Sequence, residues 1–187
     1  MTRRDLPNII SMLRIMMVLP VVLLLLYGDY GFALLLFALA GISDGVDGFL
    51  AKHYGWESRL GSILDPIADK LLLVCSFIVL GYTGLLPVWL VVVVLLRDFI
   101  IMFGAVAYYL FIGNYAMEPS ISSKINTFME IVLVLVVIVS QLIHLPELVL
   151  QGFITLTAAT ILISGAGYIF VWGRRAVLTL RKNKQYD

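Results

Sequence analysis

Six long apolar stretches occupy most of this chain, and they constrain its fold more than any other feature. Each is about 20 residues long, which is the length that an α-helix needs to cross the ~30 Å hydrocarbon layer of a bilayer. Apolar residues make up 61% of the sequence and charged residues only 13%, whereas about a quarter of a soluble domain is charged. The sequence therefore predicts an all-α polytopic membrane protein, and it excludes a soluble domain, a disordered chain and a nucleic-acid-binding protein.

The predicted spans form one bundle of six transmembrane helices. The connections between them are short, and no linker, low-complexity tract or internal repeat divides the chain. We therefore expect a single integral-membrane domain over residues 1–187, with a basic cytoplasmic tail over about 173–187. The approximate bounds of the spans are residues 7–27, 30–53, 65–82, 87–112, 123–143 and 146–172.

Lysine and arginine lie on one side of the predicted bundle. The connections near Asp29, Thr83 and Pro146 carry none, so the positive-inside rule places both termini in the cytoplasm. We expect a bacterial inner membrane as the host, because the chain is short and shows no transit peptide. The basic residues on the cytoplasmic side are Arg3, Arg4, Lys52, Arg59, Lys124, Arg174, Arg175, Arg181, Lys182 and Lys184.

Four carboxylates lie where a bilayer makes charge costly. Asp44 and Asp47 are three residues apart near the end of the second span. Asp65 and Asp69 are four residues apart at the start of the third span, so each pair lies on one helix face. Oxygen ligands without clustered His or Cys favour Mg²⁺, Ca²⁺ or Mn²⁺ over zinc, and four carboxylates can hold two such ions. A buried ion-pair network and a cation pathway are the alternatives.

Basic and small residues surround these acids. Lys52, Arg59 and Lys70 can neutralise the acids in part. The small residues would let a bulky ligand approach the helix backbone, and close helix packing is their alternative role. They are Ala40, Gly41, Ser43, Gly45, Gly48, Ala51, Gly61 and Ser62.

The acids and small residues follow one fixed spacing. It reads Asp44-x2-Asp47-Gly48-x2-Ala51-Lys52-x8-Gly61-x3-Asp65-x3-Asp69. This segment resembles the signature of the CDP-alcohol phosphotransferase family, D-x2-D-G-x2-A-R-x8-G-x3-D-x3-D, and matches it at seven of eight fixed positions. Lys52 departs from the family's arginine, which keeps the charge but loses the planar fork for bidentate contacts. Six spans with the motif across the second and third are also typical of the family.

The resemblance implies a membrane enzyme that transfers the phosphatidyl group of CDP-diacylglycerol to an alcohol and releases CMP. It implies two divalent cations, Mg²⁺ or Mn²⁺, and a homodimer. The implied metal ligands are Asp44, Asp47, Asp65 and Asp69, of which Asp69 is also the implied general base. The residues implied to bind the CDP donor are Asn8, Ser11, Asp44, Gly48, Ala51, Lys52 and Gly61. Those implied to bind the acceptor's phosphate are Arg14, Arg59, Arg97 and Lys124.

The acceptor alcohol is a finer prediction. Residues 6–14, 37–41, 61–70, 97–98 and 123–127 resemble family members that use phosphatidylglycerol and make cardiolipin. Members that use glycerol 3-phosphate tend to have Arg-Glu in the fourth span and a lysine in place of Asn126. A pocket with one cation fewer suits a monoanionic phosphodiester better than a phosphomonoester. Glycerol 3-phosphate is the alternative acceptor.

Other roles are open for the same charged residues. A cation transporter could use the acids as a relay, although transporters often have internal repeats and a site near the midplane. A lipid-binding protein without activity is a third possibility. Arg14 could extend to the membrane interface instead of binding a phosphate. Glu130 on the fifth span is expected to pair with Arg97.

Overall fold

The computed structural model describes residues 6–54, 61–112 and 121–183, and these residues form six α-helices and no strand. Side chains are described for residues 9–46, 53, 67–104 and 121–167. The predicted all-α class is confirmed for this part of the chain. The helices are α1 (Leu6–Tyr27), α2 (Tyr30–Tyr54), α3 (Gly61–Tyr82), α4 (Val88–Ile112), α5 (Ile121–Ser140) and α6 (Glu147–Asn183).

Two glycines end helices in the same way. Gly28 follows α1 with φ 78° and Gly84 follows α3 with φ 76°, a conformation that glycine adopts without steric cost. In each turn the next amide reaches back to the helix, at 2.9 Å from Asp29 N to Leu24 O and at 2.9 Å from Leu85 N to Leu80 O. These are the contacts of a Schellman C-cap. The tight turns predicted near residues 28–29 and 83–84 are therefore confirmed.

The last helix is longer than its predicted span. α6 has 37 residues and continues to Asn183, about 11 residues beyond the predicted end of the sixth span. The sequence expected a basic tail there. The stretch contains no proline and includes three arginines and two leucines, which are good helix formers, so the helix can continue beyond Trp172.

Apolar stretches long enough to cross a membrane occur in three helices among the described residues. They are Ile9–Tyr27, Ile121–Ser140 and Glu147–Gly167, and Tyr30–Val46 is a shorter apolar stretch. Large apolar side chains point outward on these helices, including Phe32 and Leu162. An apolar exterior of this kind is typical of a protein surrounded by lipid. The predicted number of six spans is not tested by these helices.

The first of two compact units comprises Met1–Val91 and Val134–Leu150. Within it α1 packs against both α2 and α3. Gly81 permits a close approach between α3 and the start of α4, because a Cβ there would lie 2.8 Å from Val91 Cγ2. The apolar core of this unit includes Val21, Leu25, Ala33, Phe37, Ala40, Leu72, Phe77, Leu80, Leu86 and Leu90.

The second unit comprises Val92–Leu133 and Gln151–Asp187, which include most of α4, part of α5 and most of α6. Its interior contains an unusual number of polar side chains for a set of apolar helices. A buried polar group needs a hydrogen-bond partner to offset the loss of water. The buried polar residues are Arg97, Asn126, Glu130, Thr157 and Ser164.

Candidate active site

Three charged residues of the first unit, Arg14, Asp44 and Asp69, lie at similar distances from one end of their helices. Arg14 is eight residues from the first residue of α1, and Asp69 is eight residues from the first residue of α3. Asp44 is ten residues before the last residue of α2. At 1.5 Å per residue these positions are about 12–15 Å from the helix ends. Since α1 contacts both α2 and α3, the three side chains can meet.

Arg14 joins the two acids. Its Nη1 donates hydrogen bonds to Asp44 Oδ1 at 2.7 Å and to Asp69 Oδ1. The Arg14 side chain is only 1% exposed, whereas those of Asp44 and Asp69 are 44% and 39% exposed. One buried guanidinium thus holds carboxylates from α2 and α3 side by side, and both acids remain accessible from outside the protein. The alternative in which Arg14 extends to the interface is wrong, because the side chain is buried.

The other predicted site residues of this segment lie outside the described side chains. The backbone of α2 includes Asp47, and that of α3 includes Asp65. Among the side chains that the structure describes, no group of three or more His, Cys, Asp or Glu converges. Of the four predicted acids, the structure therefore describes the side chains of two, Asp44 and Asp69. The remaining predicted residues outside the described side chains are Asn8, Gly48, Ala51, Lys52, Arg59 and Gly61.

The described half of the cluster fits a hard divalent cation. Its donor atoms are carboxylate oxygens from two helices that both pack against α1, and both side chains are partly exposed. Mg²⁺ and Mn²⁺ prefer such oxygen ligands. The pairing with Arg14 shows that this position already accommodates positive charge between the two acids.

Ser11 shares the α1 face of Arg14. It is three residues earlier, which places it near the same face, and its side chain is fully buried. The assignment of Ser11 to the CDP donor stays a prediction.

A second buried arginine organises the other unit. Arg97 on α4 donates from Nη1 to Asp98 at 2.8 Å, and from Nη2 to Ser123 on α5 at 2.8 Å and Ser164 on α6 at 2.7 Å. Lys124 is exposed. The structure gives Arg97 one carboxylate and two serine partners, and the pocket that it was predicted to share with Lys124 stays a prediction.

The predicted pair of Glu130 with Arg97 is wrong. Glu130 Oε1 accepts a hydrogen bond of 2.6 Å from Asn126, whose Oδ1 accepts one of 3.0 Å from Thr160. Arg97 instead contacts α5 at Ser123, which is seven residues before Glu130. Seven residues correspond to about 10 Å along a helix, so Arg97 cannot reach both positions.

Sequence reasoning missed several partners in these two clusters. It considered Lys52, Arg59 and Lys70 as counter-charges for the acids and overlooked Arg14. The similar distances of Arg14, Asp44 and Asp69 from their helix ends could have indicated the pairing, because a charge inside a membrane needs a partner at its own depth. The serine and threonine partners on α6, Thr160 and Ser164, are four residues apart and therefore share a helix face.

Comparison with known proteins identifies the class to which this fold and site belong. The family model described as CDP-alcohol phosphatidyltransferase matches residues 4–172, which span both compact units. The chain therefore belongs to the CDP-alcohol phosphatidyltransferase family. The family in general depends on divalent cations, in agreement with the oxygen donors of Asp44 and Asp69.

Within the family the chain is similar to proteins with two different names. It is 33% identical to "Cardiolipin synthase (CMP-forming)" of Rattus norvegicus over 94% of this chain and 63% of the relative. It is 32% identical to the Homo sapiens protein of the same name, over 94% of this chain and 64% of the relative. It is 41% identical to "CDP-diacylglycerol--glycerol-3-phosphate 3-phosphatidyltransferase" of Cereibacter sphaeroides, over 49% of this chain and 43% of the relative. The chain spans less than two thirds of the length of each of these relatives.

Proposed function

We propose that this protein is an integral membrane phosphatidyltransferase that makes cardiolipin. It transfers the phosphatidyl group of CDP-diacylglycerol to phosphatidylglycerol and releases CMP. The observation that carries the proposal is the meeting of Asp44 and Asp69, from the two halves of the family signature, at one partly exposed position between α2 and α3. Similarity to two relatives named as CMP-forming cardiolipin synthases, over 94% of the chain, supports the choice of product.

In the proposed reaction Asp44, Asp47, Asp65 and Asp69 hold two Mg²⁺ or Mn²⁺ ions. Bound divalent cations supply charge neutralisation for the pyrophosphate of the donor and for the departing CMP. Asp69 accepts the proton of the acceptor's hydroxyl as that oxygen bonds to the phosphorus that carries diacylglycerol. The bond from this phosphorus to the CMP oxygen breaks, and CMP leaves with the electron pair. The partial exposure of Asp69 is consistent with contact to a substrate.

The remaining predicted residues bind the two substrates in this proposal. Ser11 supports the donor site from α1, close to Arg14, and Arg97 lies in the acceptor's phosphate pocket with Lys124. The pairing of Arg97 with Asp98 reduces the net positive charge of that pocket. A less positive pocket favours a monoanionic phosphodiester over glycerol 3-phosphate. The other proposed donor residues are Asn8, Gly48, Ala51, Lys52 and Gly61, and the other proposed acceptor residues are Arg14 and Arg59.

The proposed setting is a bacterial inner membrane. Six spans place both termini and the acids on the cytoplasmic side, so lipid tails stay in the bilayer while head groups reach the acids. The proposed protein is a single domain over residues 1–187 that forms a homodimer. Three apolar helices of sufficient length among the described residues support the membrane setting.

Glycerol 3-phosphate is the second candidate acceptor. The similarity to the Cereibacter sphaeroides protein, whose name includes this substrate, favours it over about half of the chain. The product would then be phosphatidylglycerophosphate. The two candidates share the donor, the acids and CMP release, so only the acceptor distinguishes them.

The acceptor is tested with purified protein in detergent, supplied with CDP-diacylglycerol and Mn²⁺. Phosphatidylglycerol and glycerol 3-phosphate are offered in separate reactions, and the lipid products are identified by mass spectrometry. We expect cardiolipin from the first reaction and no phosphatidylglycerophosphate from the second. Product from glycerol 3-phosphate alone would overturn the cardiolipin assignment, and product from neither would overturn the enzymatic proposal.

A further inference from the structure

Arg14 is unusual among the charged residues of the first unit. Its side chain is 1% exposed and is among the largest fully buried side chains of the described residues. Burying a guanidinium costs several kcal/mol unless opposite charges surround it. Two carboxylates, Asp44 and Asp69, meet this need through the same nitrogen.

The two acids in turn need a positive charge between them. Asp44 and Asp69 come from different helices, and two carboxylates that face one position repel each other. Arg14 Nη1 contacts Oδ1 of both acids and so offsets this repulsion. Without a positive charge at this position, the repulsion would move the two carboxylates apart.

A divalent cation ligated by both acids shares these two carboxylates with Arg14. The guanidinium donates a hydrogen bond to Oδ1 of each acid, and its positive charge repels a cation bound nearby. Arg14 and the cation therefore offset the same negative charge, so the presence of one reduces the electrostatic stabilisation that the other provides.

We propose that Arg14 is a positioning residue that acts as a built-in counter-cation for the acid cluster. It holds Asp44 and Asp69 together before a divalent cation binds, and it competes with that cation for the two carboxylates. The inference rests on the proposed function in one respect, namely that these acids are cation ligands. This role differs from phosphate binding, because Arg14 acts on the two acids even when no lipid substrate is bound.

The test measures Mn²⁺ binding to the full-length protein in detergent, without lipid substrates, by isothermal titration calorimetry. Arg14→Gln removes the charge and keeps a polar side chain, whereas Arg14→Lys keeps the charge. We expect Arg14→Gln to lower the Kd for Mn²⁺ about tenfold, because one repelling charge is removed next to the ligands. Arg14→Lys is expected to stay close to the wild-type Kd. Asp29→Asn is the control, since it removes a charge in the turn between α1 and α2, outside the proposed site, and it should leave the Kd unchanged.

Thermal unfolding gives the second measurement. In EDTA the Arg14→Gln protein should unfold at a lower temperature than the wild type, and Mn²⁺ should raise its Tm by more than it raises that of the wild type. If the variant can be purified only with Mn²⁺ present, this also supports the proposal, because the cation replaces the missing charge. A variant that does not fold even with Mn²⁺ would overturn it.

An unchanged or higher Kd in Arg14→Gln would overturn the inference. CMP release by the wild type with an unchanged Kd in Arg14→Gln would refute the role of Arg14 alone. A tighter Kd in a protein that never releases CMP would refute the enzymatic proposal alone. Absence of Mn²⁺ binding by both proteins would contradict both.

Discussion

At the scale of single residues, two buried arginines organise the polar interior of the described chain. Arg14 contacts carboxylates on α2 and α3, and Arg97 contacts serines on α5 and α6. The guanidinium group suits this role because it presents several donors in a fixed planar arrangement. A lysine in place of Arg97 would offer a single charged nitrogen and could not reproduce the separate contacts that Nη1 and Nη2 make.

Ser164 offers a direct test of the Arg97 contacts. Its hydroxyl is fully buried and lies 2.7 Å from Arg97 Nη2. Ser164→Ala leaves this charged donor with one acceptor fewer, so we expect the free energy of unfolding to fall by about 1–2 kcal/mol. The change is measured by denaturant titration of the purified protein in detergent.

The matched control for Ser164 is Thr155 on the same helix. The exposed Thr155 hydroxyl donates to Gln151 O within α6, and no other helix depends on it. Thr155→Ala should change the free energy of unfolding by less than Ser164→Ala does. Equal changes in the two variants would show that the contact of Ser164 with Arg97 does not stabilise the fold.

The sequence predicted the acids of the site better than their partners. Helical spacing is a local property, so the sequence alone could single out Asp44 and Asp69 as candidate site residues. The partner of these acids depends on which helices pack together, and no local pattern specifies that α1 lies against both α2 and α3. The wrong pairing of Glu130 with Arg97 has the same cause, because it needed the relative height of α4 and α5.

At the scale of elements, the connections were more predictable than the ends of the long helices. Gly28 and Gly84 have positive φ values that favour glycine, so their turns could be located from the sequence. The continuation of α6 to Asn183 was not predicted, because the end of the sixth span was placed from hydropathy, which falls at the basic stretch although the helix continues through it. Hydropathy indicates where a helix leaves the lipid but not where it ends.

The orientation of α3 can be tested at its last residue, Tyr82, and at His53 near the end of the preceding helix, α2. With the single cysteine removed by Cys75→Ala, the exposed positions Tyr82 and His53 are replaced in turn by Tyr82→Cys and His53→Cys. The positive-inside rule predicts that a membrane-impermeant thiol reagent labels Tyr82→Cys in intact spheroplasts. His53→Cys, which adjoins the predicted cytoplasmic connection, should be labelled only after the membrane is opened.

Two labelling results would contradict this orientation. Labelling of His53→Cys alone in intact spheroplasts would place the acids on the outer side of the membrane. Labelling of both variants from outside would show that α3 does not cross the bilayer. Labelling of a denatured sample of each variant confirms that both thiols are reactive.

At the scale of the whole molecule, composition and hydropathy were sufficient to predict helices in a membrane. The apolar content of 61% already indicated helices in lipid, and the outward-facing apolar side chains of the described helices agree with it. The segment from Asp44 to Asp69 then identified the family whose model matches residues 4–172. The division into two compact units could not be read from the sequence, since it depends on contacts between residues far apart along the chain.

The most direct test of the central claim measures CMP release from CDP-diacylglycerol in the presence of phosphatidylglycerol and Mn²⁺. The wild-type rate should be lost in EDTA, and Asp69→Asn should lower the rate at least about 10²-fold because it removes both a cation ligand and the general base. Asp29→Asn is the control, since Asp29 lies in the turn between α1 and α2, away from the acids, and it should retain the wild-type rate. CMP release that persists in EDTA or in Asp69→Asn would contradict the account.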